Sequence, residues 1–320
     1  MFNFGSRKFQ YPDAFDSYLS FYNEDLQEQI IIEIETIKND KAVERTIGAH
    51  KRATALIPTQ SGKEAKSFSR ATKSSHKFRE KNTIFKYNFC DGGATDKQIG
   101  FNGVCSKDII HYNIKVEKRA WCSHDDCDCV QYLNGKCSYE ELEGIMFDCG
   151  HLCYESALLR DWTAYMGCDN DGEPRKLSSW VANNSLCVLT TLEPAAESKD
   201  RIIFAVYLIG EFQESDGIQA GMIKAHPKYR LKLSPIQARK IKLWNYYANK
   251  SQPNKPLWGT GLARKLDDEA AAYILKDIAE LKQSEEDGVL AEEFFKHFCE
   301  INKLDSDNLP EPKGALRIGK

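Results

Sequence analysis

The 320-residue sequence predicts an α+β fold: a metal-stapled N-terminal domain, then a β-rich, small barrel-like domain with C-terminal helices. Three observations predict it. Nine of the eleven cysteines fall between Cys90 and Cys168. Runs of β-branched and aromatic residues follow between Leu186 and Leu233, and apolar residues at helical spacing close the chain after Asp267. The expected domains are 1–170, cysteine-rich and metal-binding with a basic loop, and 175–304, β-rich with capped helices. Residues 305–320, with Pro310 and Pro312, read as a flexible tail.

The length suffices for two separate cores. Leu26 to Ile37 fits either an amphipathic helix or an Ile-rich strand. Lys51 to Lys86 is the one strongly basic segment, facing only Glu64 and Glu80, and its small polar middle reads as a loop. Asp91-Gly92-Gly93 marks a turn. Ser106 to Lys118 reads as a helix capped by Ser106, with Ile109, Ile110 and Ile114 as its apolar positions. Leu152 to Tyr165 reads as a second helix, and Asp169 to Pro174 as the linker between domains.

Leu186–Thr191 and Ile202–Ile209 are apolar enough to be buried strands. Gly221–Lys224 and Tyr229–Leu233 alternate and fit two half-buried strands. Ser234-Pro235-Ile236-Gln237 carries an N-cap, a proline at the first helical position and a glutamine at N3, which predicts a helix running to about Asn249. Trp258 to Arg264 is a glycine-bearing turn into a short strand. Asp267 or Asp268 caps a helix through Leu281, and Val289 to Ile301 forms the last one.

The net charge of -3 and pI near 6.2 exclude a bulk attraction to polyanions, so any nucleic-acid contact must be local. The N-terminus shows no apolar signal segment and no run is long enough to span a bilayer, which points to the cytoplasm and away from membranes. Disulfides do not persist there, so metal ligation becomes the leading use of the cysteines. Four thiolates close a tetrahedral zinc shell or hold an iron–sulfur cluster. The preferred ligands are Cys105, Cys122, Cys129 and Cys153, with Cys127 as the alternate to Cys129 and His124 and His151 in reserve. Cys90, Cys168, Cys187 and Cys299 read as ordinary buried cysteines.

A closed thiolate shell is a staple and leaves no position for reacting water. The sequence has no zinc-deaminase, P-loop, H-E-x-x-H, G-x-S-x-G or dinucleotide signature. The catalytic candidates are Asp108, Glu117 and Lys118, loosely spaced as in a metal-dependent nuclease. For nucleic acid, Lys63, Lys66, Arg70, Lys73, Lys77 and Arg79 supply phosphate contacts, with Phe68, Phe78, Phe85 and Tyr87 interleaved for stacking. A second basic strip comprises Lys224, His226, Lys228, Arg230, Lys232, Arg239, Lys240 and Lys242. Trp244 and Trp258 offer a wall for a planar ring, with Arg264 as its polar handle.

Strands, a capped helix, a glycine turn and these aromatics resemble, in architecture alone, small β-barrel modules that read modified bases. The expected function is therefore nucleic-acid binding with a structural metal, zinc or iron–sulfur, and with a modified or extruded base as one target. The alternatives are a metal-dependent nuclease or other nucleic-acid-processing enzyme, and a protein interaction module.

Overall fold

The computed structural model describes residues 82–120, 122–125, 127–150, 152–167, 175, 177, 181, 182, 184–215 and 221–318. Leu26 to Ile37 and the basic segment up to residue 81, with Lys63, Lys66, Arg70, Lys73, Lys77 and Arg79, lie outside the described residues.

The described strands build one curled six-stranded sheet, a half-barrel, in the order β2-β5-β4-β3-β1-β6. They are β1 (Asn82–Lys86), β2 (Thr163–Tyr165), β3 (Leu186–Thr191), β4 (Ile202–Gln213), β5 (Met222–Lys232) and β6 (Ala263–Leu266). The β1–β3 pair is parallel and the rest are antiparallel. β3 and the first eight residues of β4 are buried throughout, as an apolar run without alternation requires. Strands from both sides of the linker expected at Asp169 to Pro174 pair in this sheet, because β1 enters between β3 and β6 while β2 extends the far edge through β5.

Phe101 stacks on Phe204 with ring centroids 4.1 Å apart, and Trp162 meets Tyr207 edge-on, so the main core lies against the sheet. The helices α6 (Asp268–Lys282) and α7 (Gly288–Asn302) bury Ile274, Leu275, Ile278, Phe294 and Phe298 into the same core. Asp267 caps α6 by accepting from the Ala270 N–H at 2.7 Å.

A second, smaller core belongs to the cysteine-rich stretch. Ile110, Ile114, Val130 and Leu142 form it, between α1 (Lys107–His111), α2 (Asp128–Leu133) and α3 (Tyr139–Cys149). Ser106 caps α1, which passes directly into a π-helical turn, Tyr112–Val116. α4 (Tyr154–Asp161) returns the chain to the sheet.

Four elements depart from the sequence reading. α4 stops at Asp161 because Trp162 turns left-handed (φ 50°), and the residues expected to prolong the helix become β2. The two short strands around Pro227 are one, β5, because Pro227 lacks only an N–H that the sheet does not require there. α5 (Pro235–Lys240) ends early: the Ile241 carbonyl accepts from Ile203 N–H and Lys242 bridges to Ile202, so β4 captures the backbone that would have continued the helix. Residues 305–318 pack back instead of fraying, since Ala315 N–H donates to the Tyr247 carbonyl, Leu316 N–H to the Trp244 carbonyl, and Ala315 is buried.

Asn82 clips this arrangement together. Its buried amide donates to Asp268 Oδ1 at 2.7 Å and to the Leu266 carbonyl at 3.4 Å, and its oxygen accepts from Leu186 N–H at 2.7 Å. One side chain thus joins β1, β3, β6 and the start of α6. Asn82→Ala is expected to cost about 2–4 kcal/mol in urea unfolding, because it strands a buried backbone N–H as well as removing hydrogen bonds.

Candidate functional sites: a cysteine group and two basic clusters

The chain leaves β1 through Lys86, Tyr87, Asn88, Phe89 and Cys90, and this exit meets the cysteine group and the first basic cluster. Asn88 N–H donates to Glu155 Oε1 at 3.4 Å, and its amide donates to Cys122 Sγ at 3.7 Å. Cys90 is buried, lies beside Gly103 O at 3.7 Å and hydrogen-bonds to Cys105. That bond, then burial, then the charges of Cys90, Cys153 and Cys129 push the Cys105 thiol well up. Cys129 is raised first by its hydrogen bond with Cys127, then by burial and by Cys127, Cys153 and Cys122. Burial, Glu155, Cys90 and Cys122 raise Cys153, and burial with Glu155, Cys127 and Cys90 raises Cys122. Cys127 moves the other way, to about 7, because it accepts the hydrogen bond of Cys129.

Cys105, Cys129 and Cys153 are therefore electrostatic neighbours, and Cys122 bears on Cys129 and Cys153. Cys127 belongs to the same group, and so does Cys90, which its place in the sequence leaves among the ordinary buried cysteines. Cys137 donates to the Asp128 carbonyl at 3.8 Å, and Cys187 and Cys299 are buried in the main core. His151 and Cys168 lie outside the described residues. Cys90 with Cys105 and Cys127 with Cys129 stand as hydrogen-bonded pairs. Among the described residues, no three His, Cys, Asp or Glu side chains are arranged to hold a metal ion. The donor chemistry is that of zinc or an iron–sulfur cluster, while the side-chain arrangement is not a closed shell.

The catalytic candidates Asp108, Glu117 and Lys118 all lie on the surface. Asp108 is exposed on α1, and Lys118 is an exposed residue in left-handed conformation (φ 48°). Glu117 accepts from Tyr112 OH at 2.9 Å and pairs with Arg119 at 3.1 Å.

The first basic cluster surrounds Trp258. Three cations lie over its indole: Arg264 at 5.2 Å, Arg201 at 5.3 Å and Lys86 at 6.0 Å from the ring centroid. Arg264 is committed to the turn it follows, donating to the carbonyls of Trp258 (2.6 Å), Ala263 (2.8 Å) and Thr260. It shapes the loop and does not reach outward. Trp258 is 5 % exposed, and its N–H donates to the Gly261 carbonyl at 2.7 Å. Trp244 is fully buried and donates to the Ser198 carbonyl at 2.6 Å. Neither indole presents a face to a ring arriving from solvent, and Phe85 and Tyr87 are buried in the core.

The second cluster is a row on β5. Ile223, Ala225, Tyr229 and Leu231 are buried, and the period of two sends Lys224, Arg230 and Lys232 to the other face, while His226 and Lys228 lie where β5 slips out of register with β4 and both pack against the Tyr229 ring. Lys224, Lys228, Arg230 and Lys232 are exposed and His226 is half-buried. Lys228 pairs with Glu293, Lys232 donates to Gln98 at 2.7 Å, and Arg230 lies over Trp162 at 5.4 Å. Arg239 and Lys242, placed on the same strip by sequence, are drawn to Glu193 and Asp200.

No protein-family model, curated protein or solved structure matches this chain.

Because Arg264 holds three carbonyls, Arg264→Ala should lower stability by about 1.5–3 kcal/mol. It should also shift tryptophan emission to the red as Trp258 gains water. Arg264→Lys should restore little of either, since an ammonium lacks the planar fork. Both are read by denaturant unfolding followed by fluorescence.

Proposed function

We propose that this protein binds nucleic acid along the outer face of β5, and that a cysteine-ligated metal braces the helical module next to the sheet. The observation that carries the binding reading is the exposed group Lys224, Arg230 and Lys232 on the side of β5 opposite its buried residues, with Lys228 exposed between them. Cations gathered along one strand can neutralise neighbouring phosphates of a nucleic-acid backbone. The lysines and arginines upstream, Lys63 to Arg79, add further phosphate contacts. Direct readout of an extruded base by Trp244 and Trp258 has no support from their buried positions.

For the metal, the support is the mutual electrostatics of Cys105, Cys122, Cys129 and Cys153, with Cys127 as alternate ligand and Cys90 adjoining. The physical need is plain. A core of four buried apolar residues is small, and modules of that size are commonly held by a metal or by disulfides. A bound zinc or iron–sulfur centre would cross-link the module and leave no position for hydrolysis; the thiolates would balance its positive charge, and Asn88 donates to the Cys122 sulfur.

Two measurements test the two halves separately. Replacing Lys224, Arg230 and Lys232 together by Gln should reduce the slope of log K against log salt by roughly 0.7–0.9 for each phosphate that the variant no longer neutralises. An unchanged slope, with circular dichroism confirming the fold, removes β5 as the binding surface. Protein purified without oxygen should contain zinc or iron in a fixed ratio to chain. That metal should fall sharply in Cys105→Ser and Cys129→Ser but not in Cys137→Ser or Cys299→Ser. Equal metal content in all four variants defeats the assignment.

A further inference from the structure

Arg201, just before β4, is one of the most buried cations among the described residues, 6 % exposed, yet its Nε and Nη1 have no hydrogen-bond partner there. The carboxylates nearest it in sequence are committed elsewhere: Glu193 to Arg239, Glu197 to Lys199 and Asp200 to Lys242. Arg119 bears on it electrostatically, and Tyr112 OH accepts from Ala195 N–H at 2.8 Å, tying the π-helical turn that precedes Arg119 to the loop that ends at Arg201. Arg119 Nε is also buried without a partner, although its Nη2 reaches Glu117.

Lys86 completes the group from the end of β1, over the same indole as Arg201. These cations repel one another. Burial and Arg119 bring Arg201 down to about 10, and burial followed by Arg201, Arg119 and Arg264 lowers Lys86. A cation–π contact offsets part of a buried charge but accepts no N–H hydrogen bond in the plane of the guanidinium. Orphaned buried donors on two neighbouring guanidiniums are costly unless an anion joins them.

We propose that Lys86, Arg119 and Arg201 form an internal oxyanion site, walled by Trp258, that takes a phosphate group, either inorganic phosphate or a phosphate monoester. The fit is chemical: guanidinium N–H donors match the oxygens of a tetrahedral dianion, and the ammonium of Lys86 adds a third positive charge. Arg264 is left outside the donor set because three of its five N–H groups go to carbonyls of its own turn. The site is distinct from the β5 row and does not depend on nucleic-acid binding.

Calorimetry and thermal melting of the full chain at matched ionic strength test it, with orthophosphate, a nucleoside 5′-monophosphate and the bare nucleoside as probes. Orthophosphate near one hundred times its Kd should raise the melting temperature by roughly 5–10 °C. Arg201→Met and Lys86→Met should each abolish that rise. In phosphate-free buffer Arg201→Met should melt no lower than wild type, since it removes an uncompensated buried charge. A response to orthophosphate identifies the free ion as sufficient, and a response only to the monophosphate, with none to the nucleoside, identifies an esterified phosphate. No binding of either, or an undiminished response in both variants, overturns the proposal.

Discussion

The insertion of β1 between β3 and β6 is the constraint on which the rest depends. Parallel pairing with β3 and antiparallel pairing with β6 fix its register at Thr83↔Cys187 and Thr83↔Lys265, and Asn82 locks that register with side-chain hydrogen bonds. Register then determines where the next residues go. Lys86 is delivered to Trp258 and Arg201, Asn88 to Cys122 and Glu155, and Cys90 to Cys105. A slip of one residue would turn each of these side chains to the opposite face. Five consecutive residues therefore couple the sheet to the cation cluster and to the cysteines.

The two halves of the described chain are stabilised in different ways. The sheet buries contiguous apolar strands under two long helices, a core large enough to tolerate a poorly compensated arginine at the start of β4. The helical module between Cys105 and Cys149 has far less to bury. Its helices are short, its capping hydrogen bonds at Ser106 and Ser138 each contribute about 1 kcal/mol, and Cys122, Cys127, Cys129 and Cys137 pack against its small core. Cys105 packs against both cores and so helps to fix how the module meets the sheet.

Much of the secondary structure was legible, because the signals were local. The runs at Leu186 and Ile202, the Ser234-Pro235 and Asp267 caps, and the final helix all carry their own periodicity or terminal hydrogen bonds. The failures share one cause, which is competition from distant backbone. The helix after Pro235 had the pattern to continue to Asn249, but β4 took the Ile241 carbonyl. The pattern from Leu152 to Tyr165 was helical throughout, but β5 offered a partner to residues 163–165. Trp244 and Trp258 looked like a ligand wall because sequence shows their proximity without their burial. Arg201 does not stand out in the sequence, since nothing nearby reveals that the carboxylates of Glu193, Glu197 and Asp200 are engaged elsewhere.

By itself the sequence determined the chemistry in stock: thiols dense enough to gather, an alternating strand with cations at every second position, and strands and helices whose apolar faces demand burial. Those follow from side-chain identity and the periods of helix and strand, which act over a few residues. Only the tertiary structure decided which thiols neighbour one another, which indoles are closed off, and which buried arginine keeps two nitrogens without a hydrogen-bond partner among the described residues. These depend on contacts between segments far apart along the chain, where packing and long-range hydrogen bonding outweigh local preference.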